Sequence, residues 1–258
     1  MARPRRVLLL GGTSEASGLA HGLADRSDLI AVTSLAGRTS RPRLPPGEVR
    51  IGGFGGVAGL VDYLRSSGID VVVDATHPFA RVMRWHAAAA CEAVGIGRLR
   101  VERPAWEPSP GDRWTQVPSL GAAGALIALG DSRHVMVTTG RSELDAFVPA
   151  VDGTRRWLVR CIERPDPLPL HPAEIVLERG PFTFEGDLGL LRDHDVDLLI
   201  TKNSGGDATV AKLDAARALG VEVIMVRRPP SPPGPVVGSV PAALAWLEAE
   251  DPQAGSAG

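Results

Sequence analysis

The segment from Arg6 to Ala20 places the strongest constraint on how this chain folds. An apolar run of strand length, Val7–Leu10, stops at the glycine pair Gly11–Gly12, and a small-residue segment with helical character follows. Glycines in such a turn let the backbone approach a ligand closely, and the helix that begins near Thr13 offers unpaired amides to an anion. The segment therefore predicts a strand–turn–helix unit that binds phosphate.

The glycine spacing leaves a second interpretation open, an ordinary strand-to-helix turn capped by Thr13. The next glycine after Gly12 is Gly18, so the full dinucleotide fingerprint is absent, and Glu15 competes with phosphate for the positive end of the helix. The phosphate-binding interpretation predicts the following cofactor contacts: Gly11, Gly12, Thr13, Ser14 and Glu15.

Composition argues against several classes of protein. Lys and Arg number 28 against 30 Asp and Glu, so the net charge of −2 provides no overall attraction for nucleic acid. Cys91 and Cys161 lack paired spacing, and the histidines form no i, i+4 pair, so we expect neither a disulfide framework nor a metal site. No stretch approaches the roughly 20 apolar residues of a membrane helix, and the apolar run after Met1–Arg6 is too short for a signal peptide. We therefore expect a cytoplasmic protein with no membrane partner.

The region after the predicted second strand, Leu29–Leu35, bears on the choice of cofactor. It contains Arg38, Arg41 and Arg43 and no acidic residue. In dinucleotide folds an acid here binds the adenine ribose of NAD, whereas arginine accommodates the additional phosphate of NADP. The sequence favours NADPH, with Arg38 as the predicted contact, and a solvated basic loop is the alternative.

The turn after the apolar run Ile69–Ala75 is a second predicted contact region. The run reads as a buried parallel strand, and residues just past the carboxyl end of such a strand face the ligand crevice of an open α/β sheet. Pro78 holds His77 in an extended conformation. We predict that Thr76, His77 and Pro78 bind the cofactor, with His77 as a donor to cofactor or substrate. A histidine that ties down its own turn is the alternative.

Strand and helix patterns alternate along the chain, whose 258 residues are 44% apolar. This alternation predicts an α/β fold with two Rossmann-like domains, mainly parallel sheets and an interdomain cleft. The Pro- and Gly-rich segment Ala105–Arg113 marks the boundary. The predicted division is an N-terminal domain at 1–105, a linker at 106–113, a C-terminal domain at 114–250 and a disordered tail at 251–258.

Two strand-end turns of the second half repeat the theme of the first. They are Thr138–Arg141 (TTGR) and Thr201–Gly206 (TKNSGG). The first predicts Gly140 and Arg141 as cofactor contacts, because it follows a strand as the Gly11 turn does. The second carries Lys202, one of only two lysines in the chain, and a turn lysine in solvent is its alternative interpretation.

Taken in order, these clusters resemble the precorrin-6A reductase family of corrin biosynthesis over nearly the whole chain. The residues that carry the resemblance are GGTSEA (11–16), DATHPFA (74–80), TTGR (138–141), ERGPF (178–182), TKNSGG (201–206) and MVRRP (225–229). The resemblance implies a two-domain, Rossmann-like, NADPH-dependent enzyme. It also implies that the enzyme reduces one carbon–carbon double bond of precorrin-6A, a large polycarboxylate macrocycle, to give precorrin-6B in cobalamin biosynthesis.

A macrocycle ringed by carboxylates needs several cationic and amide donors, and arginine grips carboxylates with two N–H groups. On this resemblance we expect the following substrate contacts: Arg141, Arg160, Arg179, Lys202, Asn203, Ser204, Gly205 and Gly206. Hydride transfer is the chemistry of the cofactor, so no protein nucleophile is required. The catalytic candidates are Lys202 and Ser204, which orient or polarise the macrocycle, and His77, near the reacting face.

Two other functions stay open at this stage. One is a non-catalytic NADP-sensing regulatory module. The other is a short-chain-type reductase of a small carbonyl substrate, although Tyr63 has Ser67 where such enzymes carry lysine. We expect a monomer or weak homodimer, and the sequence leaves open whether the macrocycle contains cobalt.

Overall fold

A computed structural model of the chain describes residues 3–37 and 43–249. It divides the chain into two compact units. The first unit contains the residues up to Arg103 together with those from Pro230 onward, and the second unit is Pro104–Pro229. Each unit has one six-stranded sheet in which all neighbouring strands are parallel. The predicted α/β class with two Rossmann-like domains is confirmed.

The described residues form strands interspersed with helices. The strands are β1 (Arg5–Leu10), β2 (Leu29–Leu35), β3 (Glu48–Ile51), β4 (Val71–Asp74), β5 (Gly97–Val101), β6 (Trp114–Val117), β7 (His134–Val137), β8 (Arg156–Cys161), β9 (Ala173–Leu177), β10 (Leu198–Lys202), β11 (Glu222–Val226) and β12 (Val236–Val237). The α-helices are α1 (Ser14–Leu23), α2 (Gly56–Ser66), α3 (Arg81–Val94), α4 (Leu120–Leu129), α5 (Phe184–Asp193), α6 (Ala211–Leu219) and α7 (Val240–Ala249). Two 3₁₀ segments span Arg141–Ala150 and Asp207–Thr209.

Both sheets have the strand order of doubly wound dinucleotide folds. The first sheet runs β3-β2-β1-β4-β5-β12, which is the order 3-2-1-4-5-6. The second runs β9-β8-β7-β10-β11-β6, the same order with the sixth strand taken from the chain before its first strand. The first unit instead takes its sixth strand from the end of the chain. The first unit is therefore completed by a strand from a separate segment of the chain, whereas the second is completed by the first strand of its own continuous segment.

This strand arrangement differs from the predicted division of the chain. Val236 and Val237 of β12 pair with Arg100 and Val101 of β5, so residues from Pro230 onward belong to the first unit and not to a C-terminal domain at 114–250. The predicted linker 106–113 belongs to the second unit, where it leads into β6. The predicted disordered tail, 251–258, lies outside the described residues.

The returning segment is held by backbone and side-chain hydrogen bonds to β5. The amide of Arg100 donates to the carbonyl of Pro235 at 3.0 Å, and Nη2 of Arg98 donates to the carbonyl of Pro233 at 2.6 Å. Ala243 and Leu247 of α7 then pack into the core formed with α1. Prolines suit this edge position because they do not need to donate to a neighbouring strand.

The centre of the first sheet is almost completely buried. Val7, Leu8 and Leu9 of β1 are 0% exposed, since helices cover both faces of the sheet. Leu9 packs with Leu19 of α1 on one face, and Leu8 packs with Leu60 of α2 on the other. Strand order reverses between β1 and β4 in this unit and between β7 and β10 in the second. Ligands of open α/β sheets bind outside the carboxyl ends of strands at such reversal points.

Candidate cofactor and substrate sites

The glycine turn after β1 lies at the reversal point of the first sheet. The amide of Gly11 donates to the carbonyl of Ser34 at 2.9 Å, and a Cβ on Gly11 would lie only 3.2 Å from Cγ2 of Thr33. Gly12 has φ of +106°, a conformation that favours glycine, and no atom lies within 4 Å of where its Cβ would be. Gly11 therefore packs tightly against β2, while the backbone of Gly12 leaves open space for a ligand.

Thr13 joins this turn to the turn that follows β4. Its Oγ1 accepts a hydrogen bond from the amide of Ala16 at 3.2 Å, which caps α1, and donates to the carbonyl of Ala75 at 2.6 Å. Thr13 therefore caps α1, as the alternative interpretation of this turn expects. Its second hydrogen bond also joins the turn after β1 to the turn that contains the predicted contact Thr76. Ser14 lies in the first turn of α1, where its hydroxyl donates to Oε2 of Glu15 at 3.2 Å.

The carboxylate of Glu15 is neutralised by a residue that sequence reasoning did not single out. Nη1 of Arg103 lies 2.7 Å from Oε2 of Glu15. Burial raises the pKa of Glu15, but the hydrogen bond and positive charge of Arg103 outweigh it, so the pKa lies below its ordinary 4.5. Competition between Glu15 and a phosphate is accordingly reduced. Glu15 and Arg103 are 88 positions apart in the sequence. The order β5-β4-β1 in the sheet brings the end of β5 near the start of α1, so the contact depends on the tertiary structure.

The turn after β4 is fixed by its own side chains. Asp74 is fully buried, and its Oδ1 accepts from the amide of Thr76 at 3.1 Å and from the hydroxyl of Thr76 at 2.7 Å. Nδ1 of His77 accepts from the amide of Phe79 at 3.2 Å. The proton of the neutral imidazole is then on Nε2, which makes that atom a hydrogen-bond donor. His77 therefore stabilises its turn through Nδ1. Pro78 lies between these partners.

The carboxyl end of β2 carries a cation from the neighbouring strand. Nη1 of Arg50, on β3, donates to Oγ of Ser34 at 2.9 Å, and its guanidinium lies 3.8 Å from the centre of the Phe54 ring. Arg38, the predicted contact in this region, lies outside the described residues. Sequence reasoning missed Arg50 because its proximity to Ser34 depends on β3 pairing with β2.

The donors of the first unit fit a dinucleotide. The open backbone at Gly12 and the amino end of α1 suit a pyrophosphate, which binds to helix N-termini through backbone amides. A guanidinium at the end of β2 suits a phosphorylated ribose.

Lys202 lies at the reversal point of the second sheet, at the end of β10. Its Nζ is 2.6 Å from Oε2 of Glu143, and its side chain is 14% exposed. Glu143 belongs to the 3₁₀ segment that begins at Arg141, directly after the turn at Gly140. Sequence reasoning did not identify Glu143 as the partner of Lys202. Gly140 and Arg141 therefore follow β7, one of the two central strands of this unit. Lys202 ends the other, β10, and an acidic residue holds the lysine.

The three arginines expected to bind substrate have different surroundings. Arg141 is exposed and forms an ion pair of 3.0 Å with Glu163, and Arg179 is also exposed. Arg160 is buried, where it pairs with the carboxylate of Asp187 and stacks at 3.8 Å on the Phe182 ring. Removal of one partner of such a buried ion pair strongly destabilises the fold, because the other charge is left buried and uncompensated. The placement of Arg160 favours a structural role over the expected substrate contact.

The turn Lys202–Gly206 is shaped by the segment that leads into β6. The side-chain amide of Asn203 donates to the carbonyl of Trp106 at 2.9 Å and accepts from its amide at 2.8 Å. Gly205 has φ of +68°, and a Cβ there would lie 2.0 Å from the carbonyl oxygen of Pro104. The carbonyl of Gly206 accepts from the Trp106 indole at 3.1 Å. Asn203, Gly205 and Gly206 thus hold the turn in shape. Ser204 donates from its hydroxyl to the carbonyl of Lys202 at 3.3 Å.

A family model described as Precorrin-6x reductase CbiJ/CobK matches residues 6–248. The chain belongs to the precorrin-6x reductase family. The resemblance found in the sequence is confirmed.

Members of the precorrin-6x reductase family with high identity cover nearly all of this chain. Precorrin-6A reductase of Rhodococcus erythropolis is 47% identical over 94% of this chain and 97% of its own length. Precorrin-6A reductase of Rhodobacter capsulatus is 46% identical over 94% of this chain and 95% of its own length. The solved structure of CobK precorrin-6A reductase is 44% identical, with a TM-score of 0.89 over 95% of this chain and 96% of that one.

Among the described residues there is neither a cluster of metal ligands nor a helix that could span a membrane. Within residues 3–37 and 43–249, no three His, Cys, Asp or Glu side chains are grouped so that they could hold a metal ion. None of the helices described is long and apolar enough to cross a membrane.

Proposed function

We propose that this chain catalyses the NADPH-dependent reduction of one carbon–carbon double bond of precorrin-6A, which gives precorrin-6B in cobalamin biosynthesis. The observation that carries the proposal is the Gly11–Gly12 turn at the reversal point of the first sheet, in a chain of the precorrin-6x reductase family. Relatives of 46–47% identity are precorrin-6A reductases, which supports the cobalt-free macrocycle as substrate.

In this proposal the first unit holds the dinucleotide. The amino end of α1 and the backbone of Gly12 bind the pyrophosphate, and Arg103 keeps the charge of Glu15 from opposing it. When bound, NADPH supplies the hydride. Reduction of the double bond also requires a proton, and no covalent bond to the protein is needed. We assign His77, which lies in the turn beside Thr76, the role of a hydrogen-bond donor near the reacting face.

The second unit provides cationic groups for the carboxylates of the macrocycle. Arg141 and Arg179 are exposed arginines, and guanidinium groups bind carboxylates with two hydrogen bonds. Glu143 restrains Nζ of Lys202, so the ammonium is oriented before substrate arrives. We assign Lys202 the role of orienting and polarising the macrocycle, with Ser204 beside it. Asn203, Gly205 and Gly206 support that role by fixing the backbone of the turn.

The direct test is anaerobic turnover of precorrin-6A with purified protein and NADPH. The proposal predicts loss of nicotinamide absorbance together with a change in the corrinoid spectrum, and a product whose mass has increased by one hydrogen molecule. Cobalt-precorrin-6A as a parallel substrate tests the preference for the cobalt-free macrocycle. Binding of both NADPH and precorrin-6A without any spectral change would instead indicate a sensing module and would contradict the proposal.

A further inference from the structure

The carboxyl end of β2 lacks the acidic residue that dinucleotide folds use for a ribose hydroxyl. Ser34, Leu35, Ala36 and Gly37 occupy this region. Ser34 is buried, and its carbonyl accepts the amide of Gly11 at 2.9 Å, so it touches the phosphate-type turn directly. Within residues 3–37 and 43–249, a cationic contact to Ser34 comes from the neighbouring strand β3.

Arg50 supplies a cation at this position. Nη1 donates to Oγ of Ser34 and to the carbonyl of Gly52, both at 2.9 Å, and Nη2 donates to the carbonyl of Gly53 at 3.0 Å. One face of the guanidinium is covered by Phe54, whose ring centre is 3.8 Å away. These contacts restrain the guanidinium beside Ser34. The same Ser34 accepts the hydrogen bond from the amide of Gly11 through its carbonyl oxygen.

The charge of Arg50 is not neutralised by any carboxylate in residues 3–37 or 43–249. Arg50 donates three hydrogen bonds to residues in these ranges, and a guanidinium has five N–H groups. The two remaining N–H groups are on Nε and Nη2. Paired donors of this kind match two oxygens of a phosphate. A half-buried, restrained guanidinium without a carboxylate partner among these residues has the chemistry that an anion site requires.

We propose that Arg50 selects NADPH over NADH by binding the phosphate on the 2′-oxygen of the adenine ribose. This inference rests on the proposed function, because it concerns the cofactor of that reaction. It assigns the selection to β3, whereas the sequence pointed to the basic loop after β2. Ser34 is a positioning residue in this arrangement, since its hydroxyl holds Nη1 of Arg50.

The test compares cofactor affinities of the wild type, Arg50→Gln and a matched control. Calorimetry on the full chain measures the dissociation constants of NADPH, NADH, adenosine 2′,5′-bisphosphate and 5′-AMP. Loss of a charge-assisted phosphate contact should weaken NADPH and the bisphosphate by about tenfold or more in Arg50→Gln. NADH and 5′-AMP lack the phosphate and should change by less than about twofold. Arg65→Gln removes the same charge from an exposed position on α2 and should change none of the four.

A second variant guards against a folding defect. Arg50→Lys keeps the charge but loses the paired donors, and it should show an intermediate loss for NADPH with an unchanged thermal transition. A merely structural Arg50 would weaken NADPH and NADH in parallel, and that result overturns the inference. Unchanged NADPH affinity in Arg50→Gln also overturns it, as does equal affinity of the wild type for NADPH and NADH. If the wild type turned over precorrin-6A with either cofactor, only this inference would fail. If it bound neither dinucleotide, the proposed function itself would fail.

Discussion

Nη1 of Arg103 lies 2.7 Å from Oε2 of Glu15, so the chain just after β5 is joined by an ion pair to the first turn of α1. The two side chains are only 15% and 20% exposed. A carboxylate at this place is favourable for the helix dipole but unfavourable for a phosphate ligand. The arginine resolves the conflict because it neutralises the carboxylate without removing it from the helix.

Arg103→Met should therefore weaken NADPH binding. The variant leaves Glu15 as a largely buried anion without its ion-pair partner beside the proposed pyrophosphate site, and we expect an affinity loss of roughly tenfold, as for a lost charge-assisted contact. Calorimetry measures this loss. The double variant Glu15→Gln/Arg103→Met should regain most of the affinity. A double variant as weak as the single one would show that Arg103 acts in another way.

Lys202→Met should slow the chemical step while NADPH binding stays unchanged. The variant removes the ammonium that Glu143 holds at 2.6 Å, and loss of one charge-assisted contact corresponds to a rate decrease of about 10- to 100-fold. Single-turnover reduction at saturating NADPH is the measurement. Arg113→Met, which removes an exposed positive charge from the same unit, is the matched control and should keep the wild-type rate. An unchanged rate in Lys202→Met would remove Lys202 from the proposed site.

Asp152 makes the stability of the second unit depend on pH at the acid end. Hydrogen bonds from the amide and then the hydroxyl of Thr154, together with the charge of Arg155, lower the pKa of Asp152 from 3.8 to about 2. A carboxylate whose pKa is lower in the folded state stabilises that state above its unfolded pKa. This contribution is lost as the pH falls through the folded pKa.

Asp152→Asn should therefore unfold at lower urea concentration than the wild type at neutral pH. The difference in the free energy of unfolding should narrow as the pH falls from 3.8 to about 2. Urea titrations across this range measure it, and the carboxyl carbon shift of Asp152 reports the titration directly. Thr154→Ala removes the hydroxyl donor and should raise the midpoint of that shift. A wild-type midpoint near 3.8 would contradict the structural account.

Gly205→Ala should destabilise the protein strongly. Its φ of +68° is unfavourable for alanine, and the new Cβ would lie 2.0 Å from the carbonyl oxygen of Pro104. We expect a loss of about 2–4 kcal/mol in the free energy of unfolding, measured by denaturant titration. Gly189→Ala is the control, because no atom lies within 4 Å of its Cβ position in α5 and alanine favours helices by about 1 kcal/mol. Equal effects of both variants would contradict the close contact at Pro104.

Local patterns predicted much of the secondary structure. The second strand was expected at Leu29–Leu35 and is found there, because its apolar run and its boundaries are local properties. The Gly11–Gly12 turn followed by a helix was predicted in the same way. In contrast, β12 has only two residues and no periodicity to detect, so its membership of the first sheet could not be predicted.

The partners of the charged side chains could not be predicted from local patterns either. Arg160 was expected to bind substrate because it lies near a strand end, yet Asp187, on a helix 27 positions away, pairs with it in the buried interior. Likewise Arg50 reaches Ser34 only because β3 lies beside β2. The residues of each pair are too far apart in the sequence for a local motif to indicate their contact.

The sequence by itself determined the alternation of strands and helices, the glycine turns and the family, because each is expressed in neighbouring residues. Only the tertiary structure decided which strand completes each sheet and which charges neutralise one another. These outcomes depend on contacts between distant residues, and burial then decides whether a cation such as Arg160 is paired inside or, like Arg50, retains donors for a ligand.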